Sequence, residues 1–241
     1  MILKTLSSKA AAQLDADLMS SGAFSLDQLM ELAGLSVASA VYKQYPPTPA
    51  KNKLLVLVGP GNNGGDGLVA SRHLKLWGYD PVLFYPKKST KQPLYQRLVT
   101  QLQQLKVPEI DQLDEVKKLA GDSSVVAIID TLFGFSFKPP IRPPFDELIG
   151  YLASSGDSVA PIVSVDIPSG WDVDSGPTDN NALQPKMLVS LTAPKPCATY
   201  FNAKDKVHYL GGRFINDEVA AKYDIADLID LYKGDELIVK L

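Results

Sequence analysis

An open α/β fold with a mostly parallel central sheet is what this sequence predicts, on three observations. Leu54 to Val58 is an unbroken apolar run, as a strand buried on both faces requires, and it leads through a glycine-rich turn into a segment of helical spacing. Val125–Ile129, Ile162–Val165 and Met187–Leu191 repeat the short apolar run, with amphipathic or turn-rich sequence between them. No repeat period and no low-complexity linker divides the chain, so residues 1–241 read as a single domain.

Taken in order, the first element is a helix from about Ser7 to Met19, with Ser7 or Ser8 as its cap. A second helix starts at a capping box, Ser25 with Gln28, and carries Leu26, Leu29, Met30, Ala33 and Val37 on one stripe. Two helices ahead of the first strand are more than a minimal doubly wound unit needs, so they are expected to cover the sheet, to form an oligomer contact, or both. Pro46, Pro47 and Pro49 connect to the Leu54–Val58 strand. Its helix is expected over Val69, Ala70, His73, Leu74 and Trp77, stopped by Gly78. Val82–Tyr85 reads as the next strand, and Leu94, Leu98, Leu102 and Leu105 mark a helix opened by Pro93. A short helix within Asp111–Ala120 precedes the strand Val125–Ile129, which ends at Asp130. Leu148–Ala153 is helical in pattern, HYLGGRFI reads as a late strand pair, and a short helix is expected near Glu218–Lys222.

Composition narrows the function. Apolar residues make up 45% and charged residues 21%, and the formal charge of -3 implies no general attraction to nucleic acid or an anionic membrane. A single cysteine, Cys197, leaves no intrachain disulfide framework and fits a reducing compartment. No apolar run is long enough to span a bilayer, and no secretory or arginine-rich targeting segment is visible, so the expected location is cytoplasmic.

Gly59, Gly61, Gly64, Gly65 and Gly67, interrupted by Asn62, Asn63 and Asp66, form the first candidate site. Glycine permits positive φ and close approach of a ligand, and a helix N-terminus attracts phosphate, so the stretch reads as a phosphate loop or, more plainly, as a tight turn. It is not a dinucleotide fingerprint, because the acid expected about 20 residues on is missing from DPVLFYP. It is not a Walker loop either, because Gly65-Asp66-Gly67 stands where Gly-Lys-Ser/Thr is required. Ile167-Pro168-Ser169-Gly170-Trp171 is likewise no nucleophile elbow.

Three strand ends carry polar residues: Asn62 and Asn63, then Asp130, then Asp166 with Ser169 beyond it. Ligands of open parallel sheets bind at the carboxyl ends of strands, so these residues are candidates for one site. Amide, carboxylate and hydroxyl are hard oxygen donors, suited to an alkali or alkaline-earth cation, and the low negative count favours a monovalent one. The loop Phe133–Pro140 offers Phe135 and Phe137 to a ring and Lys138 to a phosphate, or else tucks onto the core. Asp172 and Asp174 resemble turn acids closed by Gly176 and Pro177.

GPGNNGGDG, DTLFGFSF, VDIPSGWDVDSG and TAPKP, in this order and preceded by FSLDQLMELAGLSVA, resemble the NAD(P)HX epimerase family, also called the YjeF N-terminal domain or apolipoprotein A-I-binding protein family. The resemblance covers nearly the whole chain. It implies a three-layer Rossmann-like fold, a homodimer, and interconversion of the R and S forms of hydrated NADH and NADPH (NADHX and NADPHX) upstream of a separate, S-specific dehydratase. It implies that Asn62, Asn63, Gly64, Gly65 and Asp66 hold the phosphate and ribose side of the substrate. Gly134, Phe135, Ser136, Phe137, Lys138, Pro139 and Pro140 are then a second wall, and Asp166 contacts the reacting part. A potassium ion is expected on Asn63, Asp130 and Ser169. For the chemistry, Asp166 is the first choice to give and take the proton in turn, with Lys195 assisting or holding a phosphate. A non-catalytic dimerising scaffold of the same fold is the alternative, and a nicotinamide oxidoreductase is weakened by the missing ribose acid. The substrate arises wherever reduced cofactors do, so a mitochondrial pool is compatible with this reading.

Overall fold

The computed structural model describes residues 3–90, 92–178 and 182–241. Its strands are β1 (Lys53–Val58), β2 (Asp80–Phe84), β3 (Glu109–Ile110), β4 (Val125–Thr131), β5 (Ile162–Val165), β6 (Met187–Leu191), β7 (Val207–Gly211) and β8 (Val239–Lys240). They form one eight-stranded sheet in the order β3-β2-β1-β4-β5-β6-β7-β8. All pairings are parallel except β7 with β8. The chain leaves β1 toward one edge, through β2 to β3, then returns to lay β4 on the other side of β1. That reversal opens a crevice at the carboxyl ends of β1 and β4.

The helices are α1 (Ser8–Met19), α2 (Leu26–Gln44), α3 (Asn62–Leu76), α4 (Pro93–Gln104), α5 (Leu113–Ala120), α6 (Phe145–Ser155), α7 (Asp217–Lys222) and α8 (Ala226–Ile229). Because successive strand residues face opposite sides, β1 feeds two cores. Leu54, Val56 and Val58 join Val37 and Val41 of α2, Leu68 and Leu74 of α3, and Leu98 of α4. Leu55 and Leu57 join Val116 of α5 and Leu148 and Leu152 of α6. Helices on both faces of a Rossmann-like sheet make the three layers. A third cluster packs Ala11, Leu14 and Leu18 of α1 with Ala193, Leu210 and the α7–α8 segment.

The caps follow the predicted chemistry. Ser7 accepts from Ala10 N–H at 3.2 Å, and Ser25 and Gln28 form the full capping box of α2. The glycine-rich stretch does not follow the expectation. It is not a loop beyond Gly61: α3 begins at Asn62, so Gly64, Gly65 and Gly67 are helical, and no glycine of the stretch has positive φ. They are small because α3 is pressed against its neighbours. A Cβ on Gly64 would lie 1.9 Å from the Gly59 carbonyl oxygen, and one on Gly65 2.4 Å from Met30 Sδ of α2. A Cβ on Gly61 would meet nothing within 4 Å.

Other differences are local. The late strand pair is corrected: β7 stops at Gly211, Gly212 turns at φ +80°, and the partner strand is β8 rather than the following residues. The helix expected at Leu148–Ala153 starts earlier, at Phe145, because its first turn buries Phe145 against the second core. β4 extends through Asp130 to Thr131, so Asp130 lies within a strand and is fully buried. The two-residue strands β3 and β8 and the short α8 have no periodicity to read. Of the two N-terminal helices, α2 covers the sheet, whereas α1 lies over its carboxyl end.

These contacts set an expectation for stability. Gly64→Ala overpacks the β1–α3 turn against backbone that cannot yield and lowers unfolding free energy by about 3 kcal/mol. Gly61→Ala changes it by only about 0.5 kcal/mol. Urea unfolding of the two variants measures the difference.

Candidate active site

At the crevice lies a cavity of about 710 Å³. Pro60, Gly61, Asn62 and Asn63 border it from the β1–α3 turn, and Leu132 to Phe137 border it from the end of β4. The size and the mainly apolar wall suit a small-molecule ligand.

The polar centre is built on two strained turns. Asp166 follows β5 at φ +68°, with the Ile167 N–H donating back to Val165 O at 2.9 Å. Thr192 follows β6 in the same way, at φ +68° with Ala193 N–H donating to Leu191 O at 2.7 Å. A left-handed conformation costs an L residue roughly 1–2 kcal/mol, and such strain collects at functional sites. Both side chains border the cavity.

Lys195 Nζ stands 2.5 Å from Asp166 Oδ1, an ion pair between two side chains that are almost wholly buried. Nζ also donates to Leu191 O at 2.9 Å and Ala193 O at 3.1 Å. The Phe135 ring centroid lies 5.3 Å away. The other Asp166 oxygen, Oδ2, accepts from Phe135 N–H at 2.8 Å. A Cβ on Gly134 would press on that oxygen at 3.1 Å and on Asn63 Cβ at 3.3 Å, so the loop lies flat on both residues.

Behind this wall, Asp130 accepts from Ser164 Oγ at 2.8 Å, from Ser169 N–H at 2.9 Å and from Ser169 Oγ at 2.5 Å. Ser169 Oγ in turn accepts from Phe133 N–H at 3.1 Å. Burial pushes the Asp130 carboxyl up, against these hydrogen bonds. Asn63 Nδ2 donates to Val165 O at 3.2 Å, while its buried Oδ1 has no donor among the described residues. Trp171 Nε1 donates to Leu183 O at 2.9 Å and anchors the Ser169–Gly176 loop. Asp172 accepts within its own turn from the N–H groups of Asp174 and Ser175, as a turn acid does.

Nine of the predicted residues thus border one cavity: Asn62, Asn63, Asp66, Gly134, Phe135, Ser136, Phe137, Asp166 and Lys195. Gly64 and Gly65 lie buried within α3, Asp130 and Ser169 lie behind the wall, and Lys138, Pro139 and Pro140 are exposed and outside the lining. His73 meets Glu31 at 2.7 Å on the surface of α3. Sequence reasoning missed Thr192 and the α1 face, where Asp15 borders the cavity beside Ala11 and Leu14. The available signal was an acid adjoining the buried stripe Ala11, Leu14 and Leu18.

Asp15 and Asp66 share one electrostatic problem. Burial pushes Asp15 up to about 6, with Lys195 pulling it down and Asp166 pushing it further up. Burial, then Asp166 and Asp15, hold Asp66 well above the usual carboxylate range. Among the described residues, three carboxyl groups border the cavity and one ammonium answers them.

The molecule is therefore a Rossmann-like α/β protein whose ligand cavity lies at the topological switch point, with a buried Asp–Lys pair on its wall. Residues 26–197 match the family described as YjeF-related protein N-terminus, and the chain belongs to that family. It is 61% identical to the NAD(P)H-hydrate epimerase of Candida albicans, over 99% of this chain and 97% of that one. It is 54% identical to the enzyme so named from Yarrowia lipolytica, over 100% and 94%. The crystal structure of yeast ynu0, YNL200c, superposes with a TM-score of 0.92 at 46% identity, covering 99% of this chain and 100% of that one.

A carboxyl held above its unfolded value binds more protons in the native state, so stability falls as pH rises from the unfolded value, 3.8, through the folded one. Asp15→Asn removes that loss. The variant is expected to match the wild type near pH 3.5, to gain stability as pH approaches about 6, and to hold a constant gain above it. The gain is on the order of 1–3 kcal/mol. Urea unfolding of both proteins across this range measures it.

Proposed function

We infer that this protein is an epimerase interconverting the R and S forms of hydrated NADH and NADPH. The observation that carries the reading is the Asp166–Lys195 pair on the wall of the switch-point cavity. Its relatives at 47–61% identity, named NAD(P)H-hydrate epimerase, point the same way. A scaffold has no need of this arrangement: burying two charges costs several kcal/mol per ion before their attraction is counted. An oxidoreductase of the dinucleotide type expects an acid at the end of β2, where Tyr85 and Pro86 stand.

The cavity suits such a substrate at both ends. Gly61 caps α3 without a side chain, leaving main-chain N–H groups for a phosphate, and the open space at Gly61 lets the ligand approach. The hydrated ring then lies against Asp166. At its reacting carbon the neighbouring nitrogen donates its electron pair, the C–O pair leaves with the hydroxyl oxygen, and a conjugated cation forms. Water returning on the other face re-forms the C–O bond and gives up a proton. Asp166 accepts that proton and stabilises the cation beside it. Lys195 touches Asp166 through an ion pair and donates to two main-chain carbonyls, so it is a positioning residue.

A potassium ion on Asn63, Asp130 and Ser169 belongs to the same reading. The orphaned Asn63 Oδ1 is a free acceptor, and Asp130 is a fully buried carboxyl with no basic partner among the described residues. Asn63, Asp130 and Ser169 would hold such an ion, which would supply positive charge to the buried carboxyl when bound. Tyr42 and Leu76, exposed on the packed helices α2 and α3, support a homodimer. The buried, unpaired Cys197 suits a reducing cytoplasmic setting, with the S product passed to a dehydratase.

Two experiments test these statements. Given R-NADHX and an S-specific dehydratase, the purified protein is expected to restore reduced-nicotinamide absorbance, and Asp166→Asn to slow it about 10²–10⁴-fold. Recovery no faster than without the protein would sink the reading. Potassium is expected to raise Tm above that in choline chloride at equal ionic strength, by about 2.7 kcal/mol of stability at a hundredfold excess over Kd.

A further inference from the structure

The reaction needs a proton for the departing hydroxyl and an acceptor for the proton of the returning water, and Asp166, ion-paired with Lys195, begins the R-to-S direction as the acceptor. Its Oδ1 lies 2.5 Å from the Lys195 ammonium as an ion pair without a hydrogen bond among the described residues, and its Oδ2 accepts the Phe135 N–H. Lys195 is held by that ion pair and by its donations to two main-chain carbonyls. Among the described residues, the remaining acids on the wall are Asp66, in the second turn of α3, and Asp15 on α1.

Asp15 is held where it can act. α1 is tied to the loops of the site rather than left to fray: Leu6 N–H donates to Pro194 O at 2.8 Å, and Ser8 Oγ to Phe135 O at 3.2 Å. Ser8 N–H donates to Asp174 Oδ1 at 3.3 Å. Leu14 and Leu18 are buried, and Asp17 at the far end accepts from Tyr223 OH at 2.6 Å. Between these anchors the Asp15 carboxyl borders the cavity with no hydrogen bond or ion pair among the described residues. It is partly open to solvent, so it can be reprotonated after each turnover. Asp66 is more deeply buried, and burial holds its carboxyl well above the usual range.

We propose that Asp15 is a second catalytic carboxyl of the epimerisation, giving its proton to the leaving hydroxyl while Asp166 takes the proton of the returning water. The inference rests on the epimerase reading. In the R-to-S direction the C–O bond breaks, its electron pair departs with oxygen, and the Asp15 proton completes a water molecule. The nitrogen pair forms the C=N bond, then returns to nitrogen as the second water adds, and Asp166 is left protonated. Exchange with solvent resets both acids. In the S-to-R direction the two carboxyls exchange roles. The charged groups acting on Asp15 from neighbouring elements are Lys195, Asp166 and Asp66.

The coupled dehydratase assay separates this inference from the reading beneath it, because wild type and variants are measured together. Wild-type kcat/KM for R-NADHX is expected to fall as pH rises above about 6. Asp15→Asn should lower kcat about 10²–10⁴-fold, bind S-NADHX within threefold of wild type by calorimetry, and lose that limb of the pH profile. Asp15→Glu should recover part of the rate and keep the limb. Circular dichroism and urea unfolding confirm that each variant is folded. An Asp15→Asn rate within threefold of wild type, or an unchanged pH limb, overturns the role of Asp15 and leaves the epimerase reading standing. A wild type without epimerase activity overturns both.

Discussion

The ion pair of Asp166 with Lys195 is the interaction around which the cavity is arranged. It fixes the ends of β5 and β6, the strands that deliver the two residues, and it takes the Phe135 N–H and ring as further partners. Each strand reaches it through a turn of positive φ, a strain that only a well-packed surrounding can hold. With Asp15 and Asp66 nearby, the wall carries an excess of acid. Such a wall is poorly matched to a neutral ring and well matched to a cation formed from it, which is the sense in which a site favours a transition state over its substrate.

The N-terminus of α3 is drawn close to β1 and β4 because glycines replace side chains at the contact. The glycines thus serve packing more than backbone freedom. Their functional consequence is indirect: they set the uncapped N-terminus of α3, at Gly61 to Asn63, on the border of the cavity.

Much of the frame was legible because buried parallel strands are written as continuous apolar runs. Leu54–Val58, Ile162–Val165 and Met187–Leu191 each fell within a residue of the observed strand, and Ser25 with Gln28 marked the start of α2. The elements that escaped are those without a pattern long enough to carry a period, β3, β8 and α8. The start of α3 escaped for a different reason. Local propensity assigns glycine to turns, and only contacts with Gly59, Met30 and Thr131 explain six helical residues that begin Asn62-Asn63-Gly64-Gly65.

By itself the sequence determined the class of fold, the strand ends that carry polar groups, and the family to which those groups are similar. It did so because burial and chain reversal leave local signatures. The tertiary structure decided which of those groups share a space. Asp166 and Lys195 meet although 29 positions separate them in the chain, while Asp130 and Ser169 withdraw behind the wall. It also brought Asp15 across from a helix of which the sequence marked only the extent and the cap. Where a helix docks depends on the whole surface it covers, and no single segment contains that information.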